Sequence, residues 1–373
     1  MPQQYIHIPD LMATWPWPER IHPLHEEVDA ESSAWLKSFA PFTPQSQHAF
    51  DKCNPGLLCA HVYPDISREA LRTSMDLINI LFVVDEYTDV EPAPAVREIA
   101  DMLIDAVYNP QKPGQAGELV LGKIMREWSQ RCLPAATPEA VSHFRKSFTD
   151  YLEAVVSEAE GRCTGTIRSI DSYMKIRREN NGVRPSLFPC ELHLSIPDEV
   201  FYHPHVVDLQ TCVVDMIITV NDIISYNREQ ATHIDDCNLL TVVMRELGTN
   251  FDGAMAWIVD YHHDVATRFI EGLENIPSFG PEADARLQEY LQGIANWPGG
   301  VDSWSFESAR YFGERGAEYR RSRRVPVLQK TDLMISMVGG LHACVITSVV
   351  AAGRLSKPEP VLQSFTYGFT DRA

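Results

Sequence analysis

Acids stand where an apolar helical run ends. Leu77 to Val84 reads LINILFVV, and Asp85, Glu86 and Asp89 follow at once. Asp85 and Asp89 are four residues apart, so on a helix they share one face about one turn from each other. Two like charges at that spacing cost about 0.2–0.5 kcal/mol even on a solvated helix. Beside a buried segment the cost is larger, because burial disfavours each charge. The pattern requires a positive charge that the neighbouring residues do not supply.

A second apolar run, CVVDMIITV from Cys212 to Val220, ends in NDIISYNRE. Asn221, Ser225 and Glu229 recur every fourth residue, and four residues turn a helix through about 400°, so the three stack with about 40° of drift. Amide, hydroxyl and carboxylate are hard oxygen ligands. Mg²⁺ takes six oxygens and usually keeps waters and substrate phosphate among them. Asp85 and Asp89 on one inner helix and Asn221, Ser225 and Glu229 on another could hold Mg²⁺ across a gap. Taken alone, each cluster reads equally well as a helix end reaching solvent. The aspartates do not form an EF-hand loop, which needs glycine at its sixth position.

The elements that must position these residues are helical. SREALRTSMDLINILFVVDEYTD opens on a cap at Ser67 and becomes apolar all round, which predicts a central helix. VFYHPHVVDLQTCVVDMIITVNDIISYNRE predicts a second. Amphipathic stretches such as HEEVDAESSAWLKSF, PAVREIADMLIDAVY and FDGAMAWIVDYHHDVATRFIEGLE would surround them. Prolines fall between the stretches, as boundaries and loops. No internal repeat and no succession of alternating strands is visible. The expectation is an all-α domain over residues 21–328, after an N-terminal segment 1–20 and before a tail 329–373.

The 373 residues carry a net charge of −19, which argues against general affinity for nucleic acid or anionic membrane. Eight cysteines form no C-x-x-C pair, and MPQQYIHIPD has no secretory pattern, so a soluble cytoplasmic protein is expected. Residues 333–353 hold no Asp, Glu, Lys or Arg and are long enough to span a bilayer. Their glycines, serines, threonine and histidine make that hydrophobicity marginal, which favours a loosely docked or disordered tail over an anchor.

DEYTD resembles the aspartate-rich motif of class I terpene cyclases, and NDIISYNRE matches their N-D-x-x-S-x-x-x-E triad. The likeness covers most of the chain in the expected order. It implies a class I terpenoid synthase helical bundle around a central active-site cavity, ionising an isoprenoid diphosphate with three Mg²⁺. YMKIRRENNGVRPS resembles the family's diphosphate-sensing segment, with Arg178 as sensor, Asn181 as linker and Gly182 behind it. Gly182 and Pro185 should break the helix and free backbone carbonyls toward the cavity; an ordinary helix stop is the plainer reading. Arg310-Tyr311 in WSFESARYF resembles the diphosphate-binding pair, where a guanidinium fork suits phosphate oxygens. Gln230 stands where some relatives have a basic residue after the triad glutamate, so that phosphate contact is expected to be missing. Residues beyond about 330 match nothing expected of the family.

DEYTDVE is similar to basidiomycete sesquiterpene cyclases, which implies farnesyl diphosphate as substrate and 1,11-closure toward protoilludene-type products; 1,10-closure to cadinane or germacrene types is the alternative. Phe82 and Trp304 are candidates for lining the cation's cavity, with core packing the competing use. No obligatory protein partner is expected, and a homodimer is compatible. A chain-elongating prenyltransferase would carry a second aspartate-rich motif in place of the Asn/Ser/Glu triad. His263-Asp264 resembles the adjacent pair of metal phosphohydrolases but lacks their companion His and Asp. His203 and His205 read as loop or helix-end residues. A helical scaffold without catalysis would tolerate loss of Asp85.

Overall fold

The computed structural model describes residues 3–330 apart from 90, 116, 165 and 166. The segment 333–353 lies outside the described residues. A short strand, β1 (Tyr5–His7), precedes α1 (His25–Ser38), α2 (Pro44–Cys53) and α3 (Pro55–Val62). The first long inner helix is α4 (Arg68–Thr88). Then come α5 (Ala93–Tyr108), α6 (Val120–Cys132), α7 (Pro138–Thr164), α8 (Ile170–Asn180), α9 (Val183–Ser186), α10 (Phe188–Glu191) and α11 (Asp198–Phe201). The second inner helix is α12 (Pro204–Thr232). It leads to α13 (Leu239–Leu247), α14 (Phe251–Glu274), α15 (Pro281–Ile294), α16 (Trp297–Glu307), α17 (Ala309–Phe312), α18 (Gly316–Ser322) and β2 (Arg324–Pro326).

Local chemistry sets these limits. The Ser67 hydroxyl accepts the Ala70 N–H at 3.1 Å, which caps α4 where the sequence placed it. Helices α2, α3, α7, α12 and α15 each begin on proline, whose fixed φ suits the first helical position. The stretch expected to run unbroken from Val200 into the triad is divided at Tyr202–His203, before Pro204. There His203 Nδ1 accepts the His205 N–H at 3.3 Å, the helix-end role expected of this pair.

Helix α4 packs on α1, α3 and α6, whereas α12 packs on α13, α14 and α16. Contacts of α3 with α16 tie the two groups together, and α8 bridges α7 to α12. The segment placed outside the bundle by its composition packs onto it. Ile6, Ile8 and Leu11 are buried in the common core, and β1 pairs antiparallel with β2, Ile6 opposite Val325. No helix among the described residues is long and apolar enough to cross a membrane.

Candidate active site

Asp85 lies in the last turn of α4, only 5% exposed, and its Oδ2 has no hydrogen-bond partner among the described residues. Burial pushes its carboxyl well above the usual range; Arg310 opposes this, and Glu86 and Glu158 add to it. Asp89, one turn on, is pushed up by burial and then by Asp85 and Glu158. Glu158, which the sequence did not single out, therefore joins Asp85, Glu86 and Asp89. Glu158 comes from α7 and is held by the Asn180 amide, which donates to its Oε2 at 2.7 Å.

Asn221, Ser225 and Glu229 are buried along α12. Asn221 Oδ1 accepts from Arg177 at 3.1 Å, while its Nδ2 donates to the Tyr311 hydroxyl at 2.8 Å. Asn238 reaches in from the loop before α13 and donates to Glu229 Oε2 at 2.9 Å. Burial and then Asp222 raise the Glu229 carboxyl, against Arg228, Asn238 and Ser225.

Between the clusters lies a cationic, aromatic wall. The Arg310 guanidinium carbon sits 5.4 Å from the centre of Phe82, 5.8 Å from Trp304 and 5.3 Å from Tyr311. Arg228 lies 5.4 Å from the Tyr311 ring and donates to the Arg310 carbonyl at 3.4 Å. Burial and then Arg310 pull its pKa down, as two adjacent guanidiniums should. Phe82 and Trp304 meet edge to face at 6.2 Å, and the Trp304 N–H donates to the Cys53 carbonyl at 2.9 Å. These rings belong to the core and to the wall at once.

Glu158, Arg168, Tyr173, Arg177, Asn180 and Cys237 line a small recess of about 10 Å³ beside the triad. That is about the room one water needs. Tyr173 and Arg177 reach across to α12, the tyrosine hydroxyl donating to Asp222 at 2.5 Å. Elsewhere Glu19, His61 and Glu307 converge, but Arg320 binds both carboxylates and completes an ion-pair network.

Residues 76–268 match the family described as terpene synthase family 2, C-terminal metal binding. "Sesquiterpene synthase 14" of Postia placenta is 51% identical over 325 residues, covering 87% of this chain and 93% of that protein. The chain belongs to the terpene synthase family. "Delta(6)-protoilludene synthase 18" of the same fungus is 46% identical over 327 residues, covering 88% of the synthase and 94% of the relative. Among solved structures, germacradien-4-ol synthase from Streptomyces citricolor superposes with a TM-score of 0.67 at 21% identity, covering 78% of this chain and 96% of that one. An α-eudesmol synthase superposes at 0.70 with 19% identity, over 79% and 98%. These likenesses show the all-α class I fold. The protein is accordingly a lyase of a metal-binding family, which sets aside the hydrolase and scaffold readings.

Several expected residues of the synthase are placed differently. Arg178 does not face the triad: it forks onto Asp215 at 2.7 and 2.8 Å and onto the Tyr261 hydroxyl at 3.3 Å. Both arginines reach α12, Arg178 at Asp215 and its neighbour Arg177 further along at Asn221, so Arg177 makes the triad contact. Gly182 does break the helix, at φ 70°, a conformation glycine adopts freely. Its carbonyl is not left free, since the Ser186 hydroxyl donates to it at 2.7 Å. Asn181 Oδ1 accepts the Val183 N–H at 2.9 Å and so stabilises the break. Gln230 is turned to the Leu328 carbonyl, and the basic residue beside the triad glutamate is Arg228, one position before it.

Proposed function

We propose that the synthase ionises and cyclises farnesyl diphosphate to a cyclic sesquiterpene with release of diphosphate, closing the 1,11 bond toward a protoilludene-type product. The names of the relatives support the substrate and the ring closure; 1,10-closure is the alternative. The observation that carries the site assignment is the Oδ2 of Asp85, buried beside Asp89 and Glu158 and without a hydrogen-bond partner among the described residues. A hard divalent cation fits this oxygen-rich set. Asp85 and Asp89 would hold Mg²⁺ on one side and Asn221, Ser225 and Glu229 on the other, three ions in all. When bound, Mg²⁺ neutralises the developing charge on the leaving diphosphate.

The chain's own groups do the rest. Arg177, Arg228, Arg310 and the Tyr311 hydroxyl donate to diphosphate oxygens, fixed donors whose attraction is strongest where water is excluded. In this reading Arg177 takes the sensing role expected of Arg178, while Asn181 and Gly182 fix the end of α8 that carries it. Phe82, Trp304 and Tyr311 turn ring faces to positive charge and keep water from the allylic cation. The test is product analysis by gas chromatography–mass spectrometry, with farnesyl diphosphate and either Mg²⁺ or chelator. Cyclic C15 products only with metal are expected. Folded protein that converts none of the C10, C15 and C20 diphosphates would overturn the reading.

A further inference from the structure

The turn of α12 that carries Ser225 and Glu229 is held from behind. Successive residues turn the helix by about 100°, so Asn227 projects opposite those two and Gln230 to the side, about 100° round from Glu229. Both are nearly buried. Asn227 Nδ2 donates to the Pro326 carbonyl at 2.9 Å, and its Oδ1 accepts the Leu328 N–H at 3.0 Å. Gln230 Nε2 donates to the Leu328 carbonyl at 3.0 Å. One short segment, 326–328, is thus bonded three times to two side chains of the triad's own turns.

That segment is itself anchored. It continues β2, which pairs with β1 in the register Tyr5 to Pro326 and His7 to Arg324. The pairing extends at both ends: Val327 N–H donates to the Gln4 carbonyl at 2.9 Å, and Ile8 N–H to the Arg323 carbonyl at 2.8 Å. Ile6, Ile8 and Val325 bury one face in the core. Arg323 pairs with Asp10 at 3.2 Å and lies 5.0 Å from the Phe306 ring. Neither strand falls in residues 76–268, the span matched by the family.

We propose that Asn227 and Gln230 are positioning residues, bracing the metal-binding turn of α12 against a two-stranded clasp made from residues 4–8 and 323–328. The inference rests on the assignment of Ser225 and Glu229 as metal ligands. The physical need is clear from where those ligands sit. Glu229 is three residues from the end of α12; its carbonyl is capped by the His233 N–H, yet the end turns of a helix are the first to fray. A ligand on a fraying turn must be ordered when the metal binds, and ordering lowers affinity. The clasp orders it beforehand.

The test uses the full chain, with rate measured against Mg²⁺ concentration for the wild type, Asn227→Ala and Gln230→Ala. Leu103→Ala, which opens a core cavity in α5, is the control for general destabilisation. The expected result is a rise of about tenfold in half-activating Mg²⁺ for Asn227→Ala and a smaller rise for Gln230→Ala. Turnover should recover at saturating Mg²⁺, and Leu103→Ala should show no such shift. Unchanged half-activation in the two clasp variants, or an equal rise in Leu103→Ala, overturns the proposal. If neither clasp variant folds, hydrogen exchange on the wild type decides. Coupling is reciprocal, so Mg²⁺ with inorganic diphosphate must slow exchange at Val327 and Leu328; unchanged exchange there overturns it. A wild type active in chelator refutes the metal assignment itself. A metal-dependent wild type with unmoved variants refutes only the clasp.

Discussion

Asp76 and Asp85 lie on the same inner helix, 0% and 5% exposed. Asp76 accepts from the Ser32 hydroxyl at 2.5 Å, from Arg72 Nε at 2.9 and 3.0 Å, and from Arg131. Asp85 keeps an oxygen with no hydrogen-bond partner among the described residues. Helix α12 repeats the contrast. Asp215, also fully buried, is taken by Arg178 and by the Tyr261 hydroxyl at 2.7 Å, whereas Glu229 further along is pushed toward its neutral form. A buried acid is therefore no sign of function by itself. What separates the two kinds is whether the fold brings its own cation to the carboxylate.

The contrast can be broken by substitution. Asp76→Ala removes the carboxylate that gathers Ser32, Arg72 and Arg131, and should destabilise the fold by about 1–3 kcal/mol in denaturant unfolding; a loss near zero would erase the distinction. Asp85→Asn should reduce turnover by about 10²–10³-fold, with a melting temperature equal to or above the wild type's. An Asp85→Asn protein that unfolds more easily would place Asp85 with Asp76. On α8, Arg177→Ala should lower kcat/KM by about 10- to 100-fold, the worth of a charge-assisted bond. Arg178→Ala should instead lower stability by orphaning part of Asp215, and comparing melting and turnover in the pair separates sensor from strut.

The smallest expected effect comes from a third cluster far from the triad. His143 lies between Glu191 at 2.9 Å and Asp198 at 3.1 Å. Burial pushes the Glu191 carboxyl up to about 7, against the pull of His143. Burial draws His143 down, but Glu191 and Asp198 outweigh it and leave its pKa raised. Both groups hold protons more tightly folded than unfolded, so their stabilisation is complete at low pH and is lost as pH rises through about 7. Melting temperature should fall between about pH 5 and 8, and Glu191→Gln should flatten that slope.

The two inner helices were legible because apolar runs with a Ser67 cap and a four-residue spacing are local signals. The triad's common face followed from the same periodicity. Glu158 was not legible: it is one acid among several on α7, and only its contact with Asn180 and its approach to Asp85 set it apart. Asn238 sits in a loop, where no period marks a residue's direction. The choice between Arg177 and Arg178 depends on how α8 rolls against α12, a tertiary fact absent from RREN. The three-residue strands are too short to show alternation, which is why residues 5–7 read as part of a free segment.

Arg310 has a consequence for how such an enzyme can evolve. Its guanidinium rests among Phe82, Trp304 and Tyr311, the rings assigned to the reactive cation. A lineage that alters one of these rings to redirect its product unseats its own arginine in the same step. Drift at these three positions is thus constrained twice, by the resting protein and by the chemistry. New product spectra are more accessible through wall residues that Arg310 does not touch.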